Sequence, residues 1–201
     1  MFVAVAPPID AVQDLAEFVE PRREHNAVAR KGGRGPAART RPDESPLRWT
    51  AEEHWHLTLA FMPVVPEAKL DDLIERLSTA AAKRTRFELQ LAGAGTYPNP
   101  VTARVLWTGV HGNVEELSRL SVGARNAASA SGIGVAGADF QAHLTLARVN
   151  RPTELGKWLQ VFDTYSGPSW PVDEIELIES HLGQGPRGRP RYQRVAAFPL
   201  S

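Results

Sequence analysis

The feature that most constrains this 201-residue chain is a five-residue word that occurs twice, His56-Leu57-Thr58-Leu59-Ala60 and His143-Leu144-Thr145-Leu146-Ala147. One copy lies in each half, the pattern of a chain built from two similar units. Both copies alternate polar and apolar residues of β-favouring type, so each reads as a strand. Side chains two apart on a strand share a face. His56 and Thr58 therefore project together, with Leu57, Leu59 and Phe61 on the opposite side. His143 and Thr145 repeat the arrangement against Leu144 and Leu146. A single His-x-Thr on a half-buried strand is most simply a cross-strand hydrogen-bonded pair, but two copies sharing five letters are hard to obtain by accident. If the halves are pseudo-symmetric lobes, the polar faces converge on one cleft.

Two imidazoles and two hydroxyls in one cleft suit phosphodiester chemistry. A neutral imidazole takes a proton from water, a protonated one gives a proton to the leaving oxygen, and the hydroxyls hydrogen-bond the nonbridging oxygens. Unperturbed imidazole titrates near ~6.5, so both protonation states are available and a rate maximum near neutrality is expected.

The rest of the chain alternates strands and helices. Phe2 to Ala6 reads as a buried strand stopped by Pro7-Pro8, and Asp10 caps a helix to about Val19. From Pro21 to Pro46 periodicity collapses into Arg, Gly, Pro and Ala, and residues 22–46 read as a mobile basic loop. Eight cationic residues, Arg22, Arg23, Arg30, Lys31, Arg34, Arg39, Arg41 and Arg48, fall within it or just beyond it. Such a segment is either an electrostatic arm for an RNA backbone or a solvated insertion with no role. Leu47 to Trp49 and His54 to Phe61 restore a β pattern. A helix follows from Glu67 to Ala82 with Leu70, Leu73, Ile74 and Leu77 on one face, and strands fit Arg86 to Leu91 and Arg104 to Val110. Then come a helix from Val114 to Ser129, a strand from Gln141 to Val149 and a helix from Thr153 to Phe162. Strands from Val172 to Glu179 and from Tyr192 to Phe198 close the chain across a Gly-rich hairpin. Short strands joined through Gly and Pro turns favour α+β with antiparallel or mixed sheets over a doubly wound parallel sheet. No dinucleotide-binding or P-loop glycine motif is present.

At the paired motifs the chain resembles the two-histidine (2H) phosphoesterase superfamily, and within it the RNA 2′,3′-cyclic phosphodiesterases, also called 2′-5′ RNA ligases. The likeness extends to Phe2-Val3-Ala4-Val5, Arg48-Trp49, Arg104 to Val110, His143 to Arg148 and the ending Ile178 to Leu182 with Tyr192. The resemblance implies a bilobal α+β fold, with helices outside two pseudo-symmetric lobes and a central cleft. It implies no metal and no cofactor, and RNA ends or cyclic nucleotides as substrate. His56 would protonate the departing 3′ oxygen, His143 would activate water, and Thr58 and Thr145 would hold the phosphate. It also places Arg148 near the phosphate, although strict alternation from His143 turns Arg148 to the opposite face unless a bulge intervenes.

Alternatives remain. His54, two residues before His56, would share its face as a strand-start residue, and His54, His56 and His143 could gather a metal beside Glu52 and Glu53. His25, His111 and His181 read as solvated turn residues. Trp49, Trp55, Trp107, Trp158 and Trp170 read as packing residues, and Arg187, Arg189 and Arg191 as hairpin charges within reach of a phosphate. An RNA-end binding module without turnover is the main competitor from another class. Lys+Arg 23 against Asp+Glu 23 gives no global field toward nucleic acid, so phosphate recognition must be local. Without cysteine there is no disulfide and no thiolate nucleophile. The apolar start is too short for a signal-peptide core, and no run reaches the ~20 apolar residues of a membrane span. A cytoplasmic monomer forming one bilobal unit over residues 1–201 is expected.

Overall fold

The computed structural model describes residues 1–31, 47–137 and 140–201. The strands are β1 (Phe2–Val5), β2 (Arg48–Trp49), β3 (Leu57–Phe61), β4 (Phe87–Tyr97), β5 (Ala103–Gly112), β6 (Leu144–Thr153), β7 (Ser166–Val172), β8 (Glu174–His181) and β9 (Arg191–Pro199). The helices are α1 (Ile9–Lys31), α2 (Leu70–Ala81), α3 (Val114–Ala130) and α4 (Gly156–Phe162). All the strand pairings are antiparallel, in the order β7-β4-β5-β6-β3-β1-β8-β9, with β2 added to β6.

This ladder divides into two four-stranded halves, β3-β1-β8-β9 and β6-β5-β4-β7, joined where β3 meets β6. The result is the bilobal α+β architecture, a curled antiparallel sheet backed by helices. Helices α2 and α3 pack on each other and on β3 and β9, whereas α1 packs on β7 and α4 on β4 and β5. Helix α1 follows β1 and α3 follows β5, yet each backs the opposite lobe. This exchange ties the lobes into a shared core. β1 is apolar throughout and wholly buried because it lies between β3 and β8. In α2 the buried residues are Leu73, Leu77 and Ala81, one stripe at helical spacing.

Three sequence readings are corrected. Helix α1 does not end near Val19 but continues through Pro21 to Lys31, so residues 22–31 are not loop, and residues 32–46 lie outside the described residues. A proline inside a helix removes one hydrogen bond and crowds the preceding turn. Contacts of the two arginines that follow it offset that cost, those of Arg22 on Phe18 within the helix and those of Arg23 to residues outside it. The Arg22 guanidinium lies 3.7 Å over the Phe18 ring and donates to the Phe18 carbonyl, and Arg23 donates to the Thr50 carbonyl at 2.8 Å and to Glu52 at 3.1 Å. These two cations are fastened to the fold instead of belonging to a free arm. Strand β7, Ser-Gly-Pro-Ser-Trp-Pro-Val, was missed because its prolines argue against a strand. It lies at the sheet edge, where missing amide donors are tolerated. Finally, His54 ends a 3₁₀ turn, Glu52–His54, instead of starting a strand.

Candidate active site

β3 and β6 touch through one residue pair, Leu57 opposite Leu144. These are equivalent positions of the two pentapeptides, so a local two-fold axis passes between them. The pairing with outer neighbours then repeats residue for residue. Leu57, Thr58, Ala60 and Phe61 face Val5, Ala4, Val3 and Phe2. Leu144, Thr145, Ala147 and Arg148 face Thr108, Trp107, Leu106 and Val105. In both strands the fourth residue of the word, Leu59 or Leu146, is the extra residue of a bulge. A bulge resets side-chain alternation. Phe61 and Arg148, each one residue past the pentapeptide, consequently both line the cleft. Phe61 is therefore not on the core face that simple alternation assigned it, and it is 46% exposed. Each bulge frees a carbonyl, and each carbonyl finds its own donor. Leu59 accepts from the buried Ser121 hydroxyl at 2.7 Å, and Leu146 accepts from the Thr50 amide at 2.8 Å.

The cleft holds a cavity of about 280 Å³ whose walls include His56, His143, Thr58, Thr145 and Arg148. Phe2, Thr50, His54, Phe61, Ser180, Leu182 and Tyr192 complete it. The five residues singled out from the motifs thus come together.

The histidines are anchored alike. His56 Nδ1 lies 2.7 Å from the His54 carbonyl and His143 Nδ1 lies 2.8 Å from the Gln141 carbonyl, in each case two residues upstream. A carbonyl only accepts, so Nδ1 carries the hydrogen and Nε2 is left free for the cavity. Their surroundings differ. The His56 ring stacks on Phe2 at 4.6 Å, with Tyr192 edge-on at 5.7 Å. Burial lowers its pKa to about 4, against the opposing pull of the His54 carbonyl, with His54, His143 and Arg148 adding positive charge nearby. His143 meets Tyr97 edge-on at 5.0 Å and Trp107 at 6.0 Å, and the Tyr97 hydroxyl is 3.4 Å from its Nδ1. Its pKa is also lowered, chiefly by burial and then by Arg148. Trp107 reaches this position because β4 has glycine beneath it: a Cβ on Gly95 would lie 1.9 Å from the Trp107 ring.

His54 lines the same cavity with its ring 4.5 Å from Tyr192. Among the described residues no three metal-ligating side chains gather as a metal site, so His54, His56 and His143 are not arranged as ligands. His111 is exposed on β5 and His181 ends β8 with Nε2 3.3 Å from Glu179, so neither is a turn residue. The side chains of His25 and Arg187 lie outside the described residues. Trp55 and Trp170 are buried, while Trp49 packs on Trp158 and Phe162. Sequence reasoning missed Phe2, Tyr97 and Tyr192 as neighbours of the histidines. Phe2 and Tyr192 belong to the segments that carry the family likeness, but the signal for a place beside the histidines was their aromatic character in strand patterns, which core packing explains equally well.

Known proteins resemble this chain in sequence and in fold. A family model described as LigT like Phosphoesterase matches residues 37–107. An RNA 2′,3′-cyclic phosphodiesterase of Aeropyrum pernix is 33% identical over 157 residues, spanning 76% of this chain and 88% of that protein. The chain belongs to the LigT-like phosphoesterase family. A relative of the same description from Geobacillus stearothermophilus is 32% identical over 76% of this chain, but the match spans only 47% of that longer protein. Among solved structures, TT0787 of Thermus thermophilus aligns with a TM-score of 0.65 at 26% identity, covering 99% of this chain and 96% of the other. E. coli LigT complexed with 3′-AMP aligns with a TM-score of 0.64 at 26% identity, covering 100% and 97%. No helix among the described residues is long and apolar enough to cross a membrane.

Proposed function

We propose that this family member hydrolyses 2′,3′-cyclic phosphates at RNA or nucleotide ends to 2′-phosphates, without metal, through His56 and His143. The observation that carries the reading is the matched pair of imidazoles. Each has Nδ1 fixed by a backbone carbonyl and Nε2 free toward one cavity that also holds Thr58, Thr145 and Arg148. Relatives described as RNA 2′,3′-cyclic phosphodiesterases and a neighbour solved with 3′-AMP support the substrate class.

In this scheme a water oxygen attacks phosphorus as His143 Nε2 takes its proton. The bond from phosphorus to the 3′ oxygen breaks, and protonated His56 Nε2 supplies the proton that oxygen needs. Thr58 and Thr145 donate hydrogen bonds to the nonbridging oxygens, and the Arg148 guanidinium balances the charge gathering there. Burial leaves His56 neutral in the free protein above about pH 4. The negative charge of the bound cyclic phosphate favours the protonated imidazole, so substrate binding brings the acid into its working state.

The test is to follow a nucleoside 2′,3′-cyclic phosphate by phosphorus NMR in excess EDTA. A 2′-phosphate product at undiminished rate is expected. Loss of activity with chelator and recovery with added metal would replace the scheme with a metallohydrolase, and nucleotide binding with no turnover would leave an RNA-end binding module.

A further inference from the structure

Arg48 and Arg148 occupy directly opposed positions on β2 and β6. Side chains of such a pair leave the same face of the sheet with Cβ atoms about 5 Å apart, and like charges there destabilise the pairing. That face carries the cavity. Arg148 lines it, and so does Thr50, two residues beyond Arg48, whereas Trp49 between them turns to the core against Trp158 and Phe162. Both arginines are exposed, and among the described residues neither guanidinium has a carboxylate within ion-pair distance. The pairing itself is held by the Leu146 bulge, whose carbonyl accepts the Thr50 amide. The bulge that turns Arg148 into the cavity therefore also brings Arg48 alongside it. Two guanidiniums so placed become favourable neighbours when they share an anion, because each offers a planar fork of donors matched to phosphate oxygens.

Resting on the reading of the cavity as a cyclic-phosphate site, we propose that Arg48, beside Arg148, forms a second anion subsite for the phosphoryl group on the 5′ side of the terminal nucleotide. That group is one ribose away from the cyclic phosphate, a span that neighbouring strands and two long side chains cover. It is either the phosphodiester of an RNA chain or the free 5′-phosphate of a mononucleotide. Arg148 faces the reacting phosphate from the near side, and Arg48 extends the positive edge outward by one strand. The subsite distinguishes a nucleotide bearing a 5′-phosphoryl group from a bare cyclic nucleoside.

The experiment compares the intact protein with Arg48→Gln and Arg48→Lys in two arms. In the first, calorimetry measures binding of adenosine 3′-phosphate and adenosine 3′,5′-bisphosphate. The wild type is expected to bind the bisphosphate about tenfold more tightly, with Arg48→Gln erasing that advantage and Arg48→Lys keeping part of it. In the second, kinetics are measured on adenosine 2′,3′-cyclic phosphate with a 5′-hydroxyl, the same nucleotide with a 5′-phosphate, and a dinucleotide with a cyclic end. Arg48→Gln is expected to raise KM about tenfold for the last two and to leave the first unchanged. A KM increase for the dinucleotide and the 5′-phosphorylated nucleotide together assigns the subsite to the phosphoryl group itself. An increase for the dinucleotide alone assigns it to the chain phosphodiester. Removing one of two like charges should leave the melting temperature unchanged or raise it, which separates a lost subsite from a damaged fold. Equal losses on all substrates, or none on any, would overturn the proposal. The binding arm needs no turnover, so a protein that leaves every cyclic phosphate intact removes the hydrolytic reading while the subsite is still measured.

Discussion

The surroundings of His56 and of His143 are two versions of one design. Both strands carry the same five letters, the same bulge at the fourth residue and the same Nδ1 anchor two residues upstream. What differs comes from the flanking strands. At the position of Phe2 in the first lobe the second has Val105, and at the position of Ala4 it has Trp107. His56 is stacked under Phe2 and closed by Tyr192, whereas His143 meets its aromatics edge-on or tilted. One past each word, the first lobe presents Phe61 and the second Arg148. The repeat sets the geometry, and the unlike flanks make two similar imidazoles chemically unequal.

The comparison breaks most severely when either imidazole is removed. His56→Ala and His143→Ala should each lower kcat by roughly 10² to 10⁴ while leaving the unfolding transition intact, because in the proposed scheme each removes one proton-transfer partner. If the two act on one transition state as proposed, the double variant should be little slower than the slower single variant. Steady-state rates on a cyclic nucleotide decide this, and near-wild-type turnover by either single variant would sink the symmetric role.

Acid should separate the two histidines next. His56 has a folded pKa of about 4 against ~6.5 when unfolded, so the unfolded chain holds more protons between those values. Its contribution is intact above pH 6.5 and is lost as pH falls toward 4, a cost of about 2 to 3 kcal/mol. His143 contributes in the same direction. Urea unfolding at pH 7 and pH 4.5 should show the loss, and His56→Gln should shrink it more than His143→Gln. The same lowered values move the limbs of the kcat/KM profile to the acid side of pH 6.5, while kcat, which reports the substrate-bound state, stays nearer neutrality. A kcat/KM maximum at pH 8 would contradict this account.

The bulges give a smaller effect. Ser121→Ala leaves the Leu59 carbonyl buried without its donor and should cost about 1 to 2 kcal/mol in chemical denaturation. It should also lower activity through the first motif alone. The Leu146 carbonyl takes a backbone amide, so no side-chain deletion at Thr50 reproduces the effect in the second lobe. A Ser121→Ala protein as stable as wild type would show that the first bulge keeps its shape without this hydroxyl.

Much of the site was legible because it is written in a local period. The two-residue alternation of strands placed His56 with Thr58 and His143 with Thr145, and repetition carried them to one cleft. The places where the reading failed are those where distant residues decide. Alternation misassigned Phe61 and left Arg148 in doubt because bulges depend on the partner strand, and no pattern within the pentapeptide marks them. Pro21 looked like a helix end, but Arg23, bonded to Glu52 and to the Thr50 carbonyl, holds the helix beyond it. Strand β7 was hidden by prolines that only its edge position makes acceptable.

The finest test exchanges one ring. In Phe2→Leu the stacked aromatic is lost from His56 while an apolar side chain remains in β1 to pack the core, so water gains access to the imidazole with little change in the sheet. Desolvation is the leading cause of the lowered pKa of His56, and relieving part of it should raise that value toward ~6.5. His143, in the other lobe, should titrate as before. The counterpart is Tyr97→Phe, which removes a hydroxyl 3.4 Å from His143 Nδ1 but keeps the edge-on ring. Because the Gln141 carbonyl still accepts from that nitrogen at 2.8 Å, His143 should move much less than His56 does in Phe2→Leu. Imidazole Cε1 proton shifts followed by NMR against pH report both sites in each variant. If Phe2→Leu moved both histidines equally, the inequality between the lobes would belong to the shared cavity and not to the unlike strands beside it.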